Sequence, residues 1–238
     1  MAERSQERSH GSSAGRLSRE LIIGSALEQI DSEGAQSLSM RSLAQGLGVE
    51  AMSLYRYVRG REDLLEGVTD RLMGDLTAGL DAELTEHWQG FLQTLAHRVR
   101  RIAIDHPRAF PLVASRPPSA PWLRPPLRSV ELVETFLSTL IDHGFSDEQA
   151  VKTYRSFSSF LLGQLLLEAA VRGGEIGPLD EPSDEGDAAS PDSEGQTEVD
   201  ESAQIVRLRD LLSEDRSDEE FEASLESLLD RLSGELAV

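Results

Sequence analysis

The side chains best suited to recognising a charged, hydrogen-bonding partner are concentrated between residues 39 and 61. This stretch contains four arginines, two tyrosines and three serines. Their guanidinium and hydroxyl groups can hydrogen-bond phosphates and base edges, and a short helix that exposes them fits the major groove of DNA. The same composition is also compatible with an ordinary helical hairpin that leaves two tyrosines in solvent.

The sequence of residues 39–61 predicts two short helices joined by a tight turn, which would position these side chains. Ser39 is suited to cap the first helix, and Gly48 can adopt the left-handed conformation that ends it. The second helix is predicted to start near Glu50, whose charge suits a helix N-terminus. Apolar residues recur at helical spacing on one face of each helix: Leu43, Ala44 and Leu47 in the first, and Ala51, Leu54 and Val58 in the second.

A longer pattern of apolar, glycine and tyrosine positions runs through segment 17–72. Its members are Ile23, Ala26, Leu27, Ile30, Gly34, Leu43, Ala44, Leu47, Gly48, Val49, Ser53, Leu54, Tyr55, Tyr57, Val58, Arg61, Leu64 and Leu65. In this order and spacing the segment resembles the N-terminal DNA-binding domain of the tetracycline-repressor (TetR) family. The form of its second helix is most similar to the tetracycline-repressor branch.

The resemblance implies specific contacts with DNA. Arg41 falls at a base-reading position, where a bidentate contact with guanine suits an arginine. Tyr55 and Arg61 fall at phosphate-contacting positions, with Arg61 in place of the usual lysine. Ala51 and Met52 differ from the tetracycline repressor, so a different operator sequence is expected. The groove-facing positions are Met40, Arg41, Ala51, Met52, Ser53 and Tyr57.

The net charge of −20 is unevenly distributed along the chain. Residues 1–61 contain 8 arginines and 7 acidic residues, whereas residues 173–204 contain 11 acidic residues and no basic one. Because salt screens charges beyond about 8–10 Å, acidity elsewhere does not exclude DNA binding by the first region. It does predict weak non-specific affinity, which depends on basic contacts to phosphate.

Composition narrows the function classes further. The chain has no cysteine, so disulfides and cysteine-based metal sites are excluded. No stretch of 18 or more apolar residues is present, and residues 1–16 do not resemble a secretory signal, so a cytoplasmic protein without membrane association is predicted. No catalytic constellation, metal motif or cofactor motif stands out, which disfavours an all-α enzyme.

The chain is predicted to be all-α, with an N-terminal three-helix helix-turn-helix DNA-binding domain and a C-terminal helical ligand-binding and dimerisation domain. The predicted segments are a flexible arm at 1–16, the helix-turn-helix domain at 17–61, a connecting helix at 62–80 and the C-terminal domain at 81–238. Within the last, residues 173–204 are predicted to be a disordered acidic loop, because they are rich in Gly, Pro, Ser and acidic residues.

Apolar spacing predicts the helices of the C-terminal domain. The predicted ranges are 88–105, 127–143, 146–172 and 217–233. A segment at 107–126, which holds seven of the ten prolines, separates the first range from the second. Ser146–Gln149 and Ser217–Glu220 match the capping-box pattern at helix starts. The second half of helix 146–172 is apolar on most sides, which predicts a homodimer through helices 146–172 and 217–233.

The C-terminal domain also resembles the tetracycline repressor, but less closely. The polar and histidine positions that hold a magnesium–drug complex there are not kept, so neither tetracycline nor magnesium is carried over. A largely apolar small-molecule effector enclosed by the helices is expected. Candidate lining residues, each equally compatible with plain core packing, are Leu95, Val99, Ile102, Trp122, Phe136 and Tyr154.

These inferences predict a transcriptional regulator, most simply a dimeric repressor that a small molecule releases from a palindromic operator of double-stranded DNA. Two alternatives stay open at this point. The protein could instead act as an activator or a ligand-independent regulator. It could also be a helical ligand-binding or scaffolding protein whose helix-turn-helix is not used for DNA.

Overall fold

The computed structural model describes residues 17–74, 76, 86–116, 120–175 and 203–236. Within these ranges the regular structure is helical, apart from an isolated bridge between Arg124 and Leu127. The all-α prediction is confirmed. The helices are α1 (Arg19–Glu33), α2 (Met40–Gly46), α3 (Ala51–Leu54), α4 (Arg61–Gly74), α5 (Trp88–Asp105), α6 (Pro111–Ser115), α7 (Val130–Asp142), α8 (Asp147–Val171), α9 (Ala203–Ser213) and α10 (Ser217–Leu236).

Helices α1 to α4 form the N-terminal helical unit. Ser18 caps α1 by accepting the Leu21 N–H, and Gly34 ends it with a φ of 89°. The inner face of α1 packs against α4 and α2, as its apolar spacing predicts. Its fully or nearly buried residues are Ile22, Ile23, Ala26, Leu27 and Ile30.

Helix α3 is shorter than expected. It ends at Leu54, and residues 55–57 form a turn in which the Tyr57 and Val58 N–H groups both bond the Leu54 carbonyl. Leu54 and Val58 are still buried together against the N-terminal core. The predicted apolar face therefore exists, but a turn rather than a continuing helix presents its last member.

The second half of the chain is built around α8. Helices α5, α7 and α10 pack on it, and α6 joins from the α4 side. The centre is an aromatic cluster in which the Phe136 ring lies 5.5 Å from Phe157, 5.7 Å from Tyr154 and 6.0 Å from Phe91, centroid to centroid. Such tilted and edge-to-face pairs stabilise the packing of large side chains.

One ion network is buried among these apolar residues. Arg100 of α5 donates to Glu168 of α8 from Nε (3.0 Å) and Nη2 (2.9 Å), and both side chains are almost fully buried. The guanidinium also lies 4.6 Å from the Phe221 ring centroid and bonds Asp218, so it joins α10 to the pair. The hydrogen bonds that Arg100 donates to Glu168 raise the pKa of Arg100, outweighing the opposite effect of burial.

The two predicted capping boxes have different outcomes. Ser146 and Gln149 form reciprocal hydrogen bonds at the start of α8, as predicted. The box at Ser217–Glu220 is wrong, because Ser217 is already the first residue of α10. Its N–H and hydroxyl bond Asp215 instead, since that carboxylate precedes the helix and can reach both donors.

Three predictions fall wholly or partly outside the described residues. They are the arm at 1–16, the part of the connecting helix that follows Gly74 (apart from residue 76), and residues 176–202 of the acidic loop. Among the described helices, α9 exposes Ile205, Val206 and Leu211. No helix in the described part of the chain combines the length and apolar character needed to cross a membrane.

Candidate DNA-reading surface

Residues from α2, α3 and the start of α4 border one open groove on the N-terminal unit. We call this groove the reading surface. Met52 is 72% exposed beside it and Tyr55 is 48% exposed, although both are large side chains with apolar character. The lining residues are Ser39, Met40, Arg41, Ala51, Met52, Tyr55, Arg59, Gly60, Arg61, Glu62 and Asp63.

The start of α2 is held by a serine-centred hydrogen-bond network. Ser39 Oγ accepts the Ser42 N–H at 3.0 Å, and Ser42 Oγ in turn accepts the Ser39 N–H at 3.0 Å. Gln29 of α1 donates to Ser42 Oγ (3.0 Å) and to the Ser37 carbonyl (3.2 Å). The orientation of Met40 and Arg41 is therefore set by bonds to α1 as well as by their own helix.

The turn between α3 and α4 is held by an ion pair. Arg19 of α1 donates to Asp63 at 2.7 and 2.9 Å and to the Tyr57 carbonyl at 3.1 Å. Asp63 also accepts the backbone N–H of Arg59 at 2.8 Å. The hydrogen bond from Arg19 lowers the pKa of Asp63 to about 2, outweighing the opposite effect of burial, and the Arg59 N–H adds to the lowering.

Arg61 is half-buried, and its guanidinium turns back toward the chain that precedes α2. Its Nε donates to the Leu38 carbonyl at 2.9 Å, and its Nη2 donates to the Ala35 carbonyl at 3.0 Å. These carbonyls belong to the 3-10 turn Ala35–Ser37 and to the residue after it. The predicted phosphate contact of this residue stays a prediction.

The groove collects most of the residues predicted to contact DNA. Met40, Arg41, Ala51, Met52, Tyr55 and Arg61 line it. Ser53 is half-buried and Tyr57 is 38% exposed, and both lie outside its lining. The scaffold residues Arg19, Gln29 and Ser42 were not anticipated. A Ser39-x-x-Ser42 pattern is a weak capping signal, whereas nothing local identifies an arginine 44 residues from its carboxylate.

The candidate effector-lining residues are dispersed between core and surface. Leu95, Val99 and Phe136 are fully buried, Tyr154 is nearly so, and Ile102 is half-buried. Trp122 differs from these residues in burial, because 56% of it is exposed. The Tyr154 hydroxyl accepts the Arg124 N–H at 2.7 Å, and burial raises its pKa.

Polar side-chain contacts connect the N-terminal unit to the second half of the chain. Arg128, before α7, bonds Glu66 of α4 at 3.0 Å, and Arg116, at the end of α6, bonds Glu62 one turn earlier. His106, at the end of α5, lies 2.7 Å from Asp31 of α1. These contacts join α5, α6 and the residue before α7 to α1 and α4.

Two short helices joined by a turn, with an exposed arginine and tyrosine and a helical core behind them, are the arrangement found in helix-turn-helix transcriptional regulators. Residues 22–68 match the family described as bacterial regulatory proteins, tetR family, and residues 82–235 match the tetracyclin repressor-like C-terminal domain. The chain belongs to the TetR family. Members of this family are regulators of transcription rather than enzymes.

Individual relatives agree with this assignment. The chain is 34% identical to the tetracycline repressor protein class E of Escherichia coli over 155 residues, which cover 65% of this chain and 70% of the relative. A helix-turn-helix transcriptional regulator of Saccharopolyspora erythraea is 28% identical over 156 residues, covering 66% of this chain and 63% of its own length.

Solved structures share the fold over nearly the whole chain. A possible TetR-family transcriptional regulator from Streptomyces coelicolor A3(2) superposes with a TM-score of 0.67 at 26% identity, covering 91% of this chain and 98% of its own. TetR from Acinetobacter baumannii AYE gives a TM-score of 0.68 at 23% identity, with 92% and 96% covered. At that identity the second likeness concerns the fold alone.

Proposed function

We propose that this chain is a dimeric repressor whose reading surface binds one half of a near-palindromic operator. The observation that carries the proposal is the exposure of Arg41, Met52 and Tyr55 around one groove, on helices held rigidly by hydrogen bonds. Arg41 would read a base edge, with Met40, Ala51, Met52, Ser53 and Tyr57 facing the major groove of the DNA. Tyr55 would contact phosphate.

A homodimer would present two such surfaces to successive major grooves, about one helical turn apart. The outer faces of α8 and α10 are suited to this contact. They border a shallow groove of mostly small side chains, where a partner's helices can approach closely. The residues that line it are Ser156, Phe160, Ala223, Ser224, Ser227, Leu228 and Arg231.

The effector is proposed to be a largely apolar small molecule held between α4, α5, α7 and α8. The buried aromatic and aliphatic side chains in this region supply the required chemistry. The Arg128–Glu66 and Arg116–Glu62 pairs connect this region to α4. A molecule that binds better to the conformation with misplaced reading surfaces must weaken operator binding, by linkage.

Operator binding requires access to chromosomal DNA, so a cytoplasmic location forms part of the proposal. The test is selection of bound sequences from a random double-stranded DNA pool, with full-length protein at near-physiological salt. Enrichment of a near-palindrome is the expected result. Failure to enrich any sequence, with protein that is folded and dimeric, would contradict the proposed function.

A further inference from the structure

Arg61 places a positive charge at the N-terminal end of α4. It is the first residue of α4, where the helix dipole is positive and a cation is disfavoured. Glu62 and Asp63 follow it, and acidic residues are favoured there. A cation at this position therefore needs a specific partner to offset the unfavourable dipole, and the structure provides one inside the protein.

That partner is the backbone just before α2. The guanidinium bonds two carbonyls three residues apart, at Ala35 and Leu38, with distances of 3.0 and 2.9 Å. Leu38 is fully buried and Ala35 nearly so, hence their carbonyls need internal donors. The planar fork of arginine supplies two N–H groups in fixed directions, whereas a lysine ammonium offers its donors from one atom on a flexible stem and does not fix the two acceptors in the same way.

The bridged segment leads directly into the reading surface. Ser39, which caps α2, follows Leu38 immediately, and Met40 and Arg41 are the first two residues of the helix. A shift of the carbonyls at Ala35 and Leu38 would therefore move the start of α2 and the direction of the Arg41 side chain.

We propose that Arg61 is a positioning residue for DNA reading: it fixes the start of α2, and through it Arg41, rather than serving as a phosphate contact. The inference rests on the proposed function. It makes Arg61 part of sequence discrimination, because an arginine that reads a base edge must be held in a defined direction.

The test compares Arg61→Lys and Arg61→Gln with the wild type on the operator selected from random DNA, over a range of salt concentrations. Arg101→Lys is the matched control, since Arg101 is an exposed arginine of α5 whose side chain is 83% exposed. We expect both Arg61 variants to bind about tenfold or more weakly, with an unchanged salt slope and blurred selection at the base read by Arg41.

A phosphate contact would give the opposite pattern. Arg61→Lys would then bind like the wild type, and Arg61→Gln would lose about one unit of salt slope without losing selectivity. That result would overturn the proposal.

Two further measurements separate this inference from the proposed function, the first on free protein and the second without and then with operator. In Arg61→Lys, amide hydrogen exchange should accelerate at Ser42 and Leu43, whose N–H groups bond Ser39, and stay unchanged in α8. In the wild type, the Arg61 Nε–H resonance should be protected and should shift little when operator is added. Unchanged exchange at α2, or an unprotected Nε–H, would overturn the proposal even if the wild type selects an operator. A wild type that selects nothing would contradict the proposed function instead.

Discussion

The reading surface and the aromatic core behind it are built in opposite ways. At the reading surface, large side chains such as Met52 and Tyr55 are exposed, and short helices are held in place by hydrogen bonds that Arg19 and Arg61 donate and that Ser42 accepts. In the core, long helices are held by interlocking rings with little polar contact.

This difference explains why one region reveals its role and the other does not. Single exposed side chains are ordinary, but Arg41, Met52 and Tyr55 are exposed together around one groove, and such a cluster indicates a partner. A buried phenylalanine has the same chemistry whether it fills the core or lines an effector pocket. Stability measurements can distinguish these two uses.

The sharpest test of the core is Phe136→Ala. Phe136 is fully buried among three aromatic rings, so the change should lower the free energy of unfolding by about 4 kcal/mol if the region is tightly packed. Urea denaturation measures this. Val130→Ala on the same helix is the control, since Val130 is 56% exposed and should stay within about 0.5 kcal/mol of wild type. A cost below about 1.5 kcal/mol would instead place Phe136 at the wall of an open cavity.

The buried ion network is the exception to the apolar character of the core. Arg100→Met should cost about 3 kcal/mol, because among the described residues it leaves the buried Glu168 carboxylate with the pair to Arg172 alone. The exposed neighbour Arg101→Met is the matched control in the same denaturation experiment. The double variant Arg100→Met, Glu168→Leu should recover much of the loss. If it is no more stable than the single variant, the cost lies in packing rather than in an unpaired charge.

The ion pair behind the reading surface should show its contribution through pH. Because the pKa of Asp63 is lowered to about 2, its charged form stabilises the fold above its ordinary value of 3.8, and this stabilisation disappears as pH falls toward 2. Asp63→Asn should therefore lower stability by about 1.5 kcal/mol at pH 7, allowing for solvent screening of a partly exposed pair. The difference from wild type, followed by urea denaturation, should shrink between pH 4 and pH 2. A difference independent of pH would mean that the charge is not responsible.

The smallest effect compares equivalent caps in the two regions. Ser39 caps α2 and Ser129 caps α7, each by accepting a backbone N–H. Replacing either with alanine should cost about 1 kcal/mol in thermal or urea unfolding. Only Ser39→Ala should also weaken operator binding, because only that cap positions the reading surface. Equal loss of binding in both variants would show that global stability, not local positioning, controls DNA affinity.

Sequence reasoning was most successful where local chemistry decides the structure. Ser39 and Gly48 act at the ends of α2 as predicted, and apolar spacing located the long helices of the second half of the chain. It was less successful where distant groups compete. Arg19 of α1 bonds both Asp63 and the Tyr57 carbonyl in the turn after α3, and no local pattern encodes these distant contacts.

The same limit applies to the candidate effector site. Leu95, Val99 and Phe136 were named because of their position on apolar faces, and they are buried, but burial is what a core residue requires as well. Trp122 lies in the proline-rich crossing, where no helical periodicity predicts which side chains are buried, and 56% of it is exposed. Ligand preference depends on cavity shape, which is a property of the packed helices together.

The central claim is that Arg41 reads a base at the groove defined by α2 and α3. It is tested most directly by comparing the DNA sequences selected by the wild type and by Arg41→Ala. We expect the wild type to enrich a near-palindrome, and the variant to lose about 1–3 kcal/mol of affinity with relaxed preference at one symmetric pair of positions. If Arg41→Ala selects the same sequence with the same affinity, the assignment of Arg41 as a base reader is wrong.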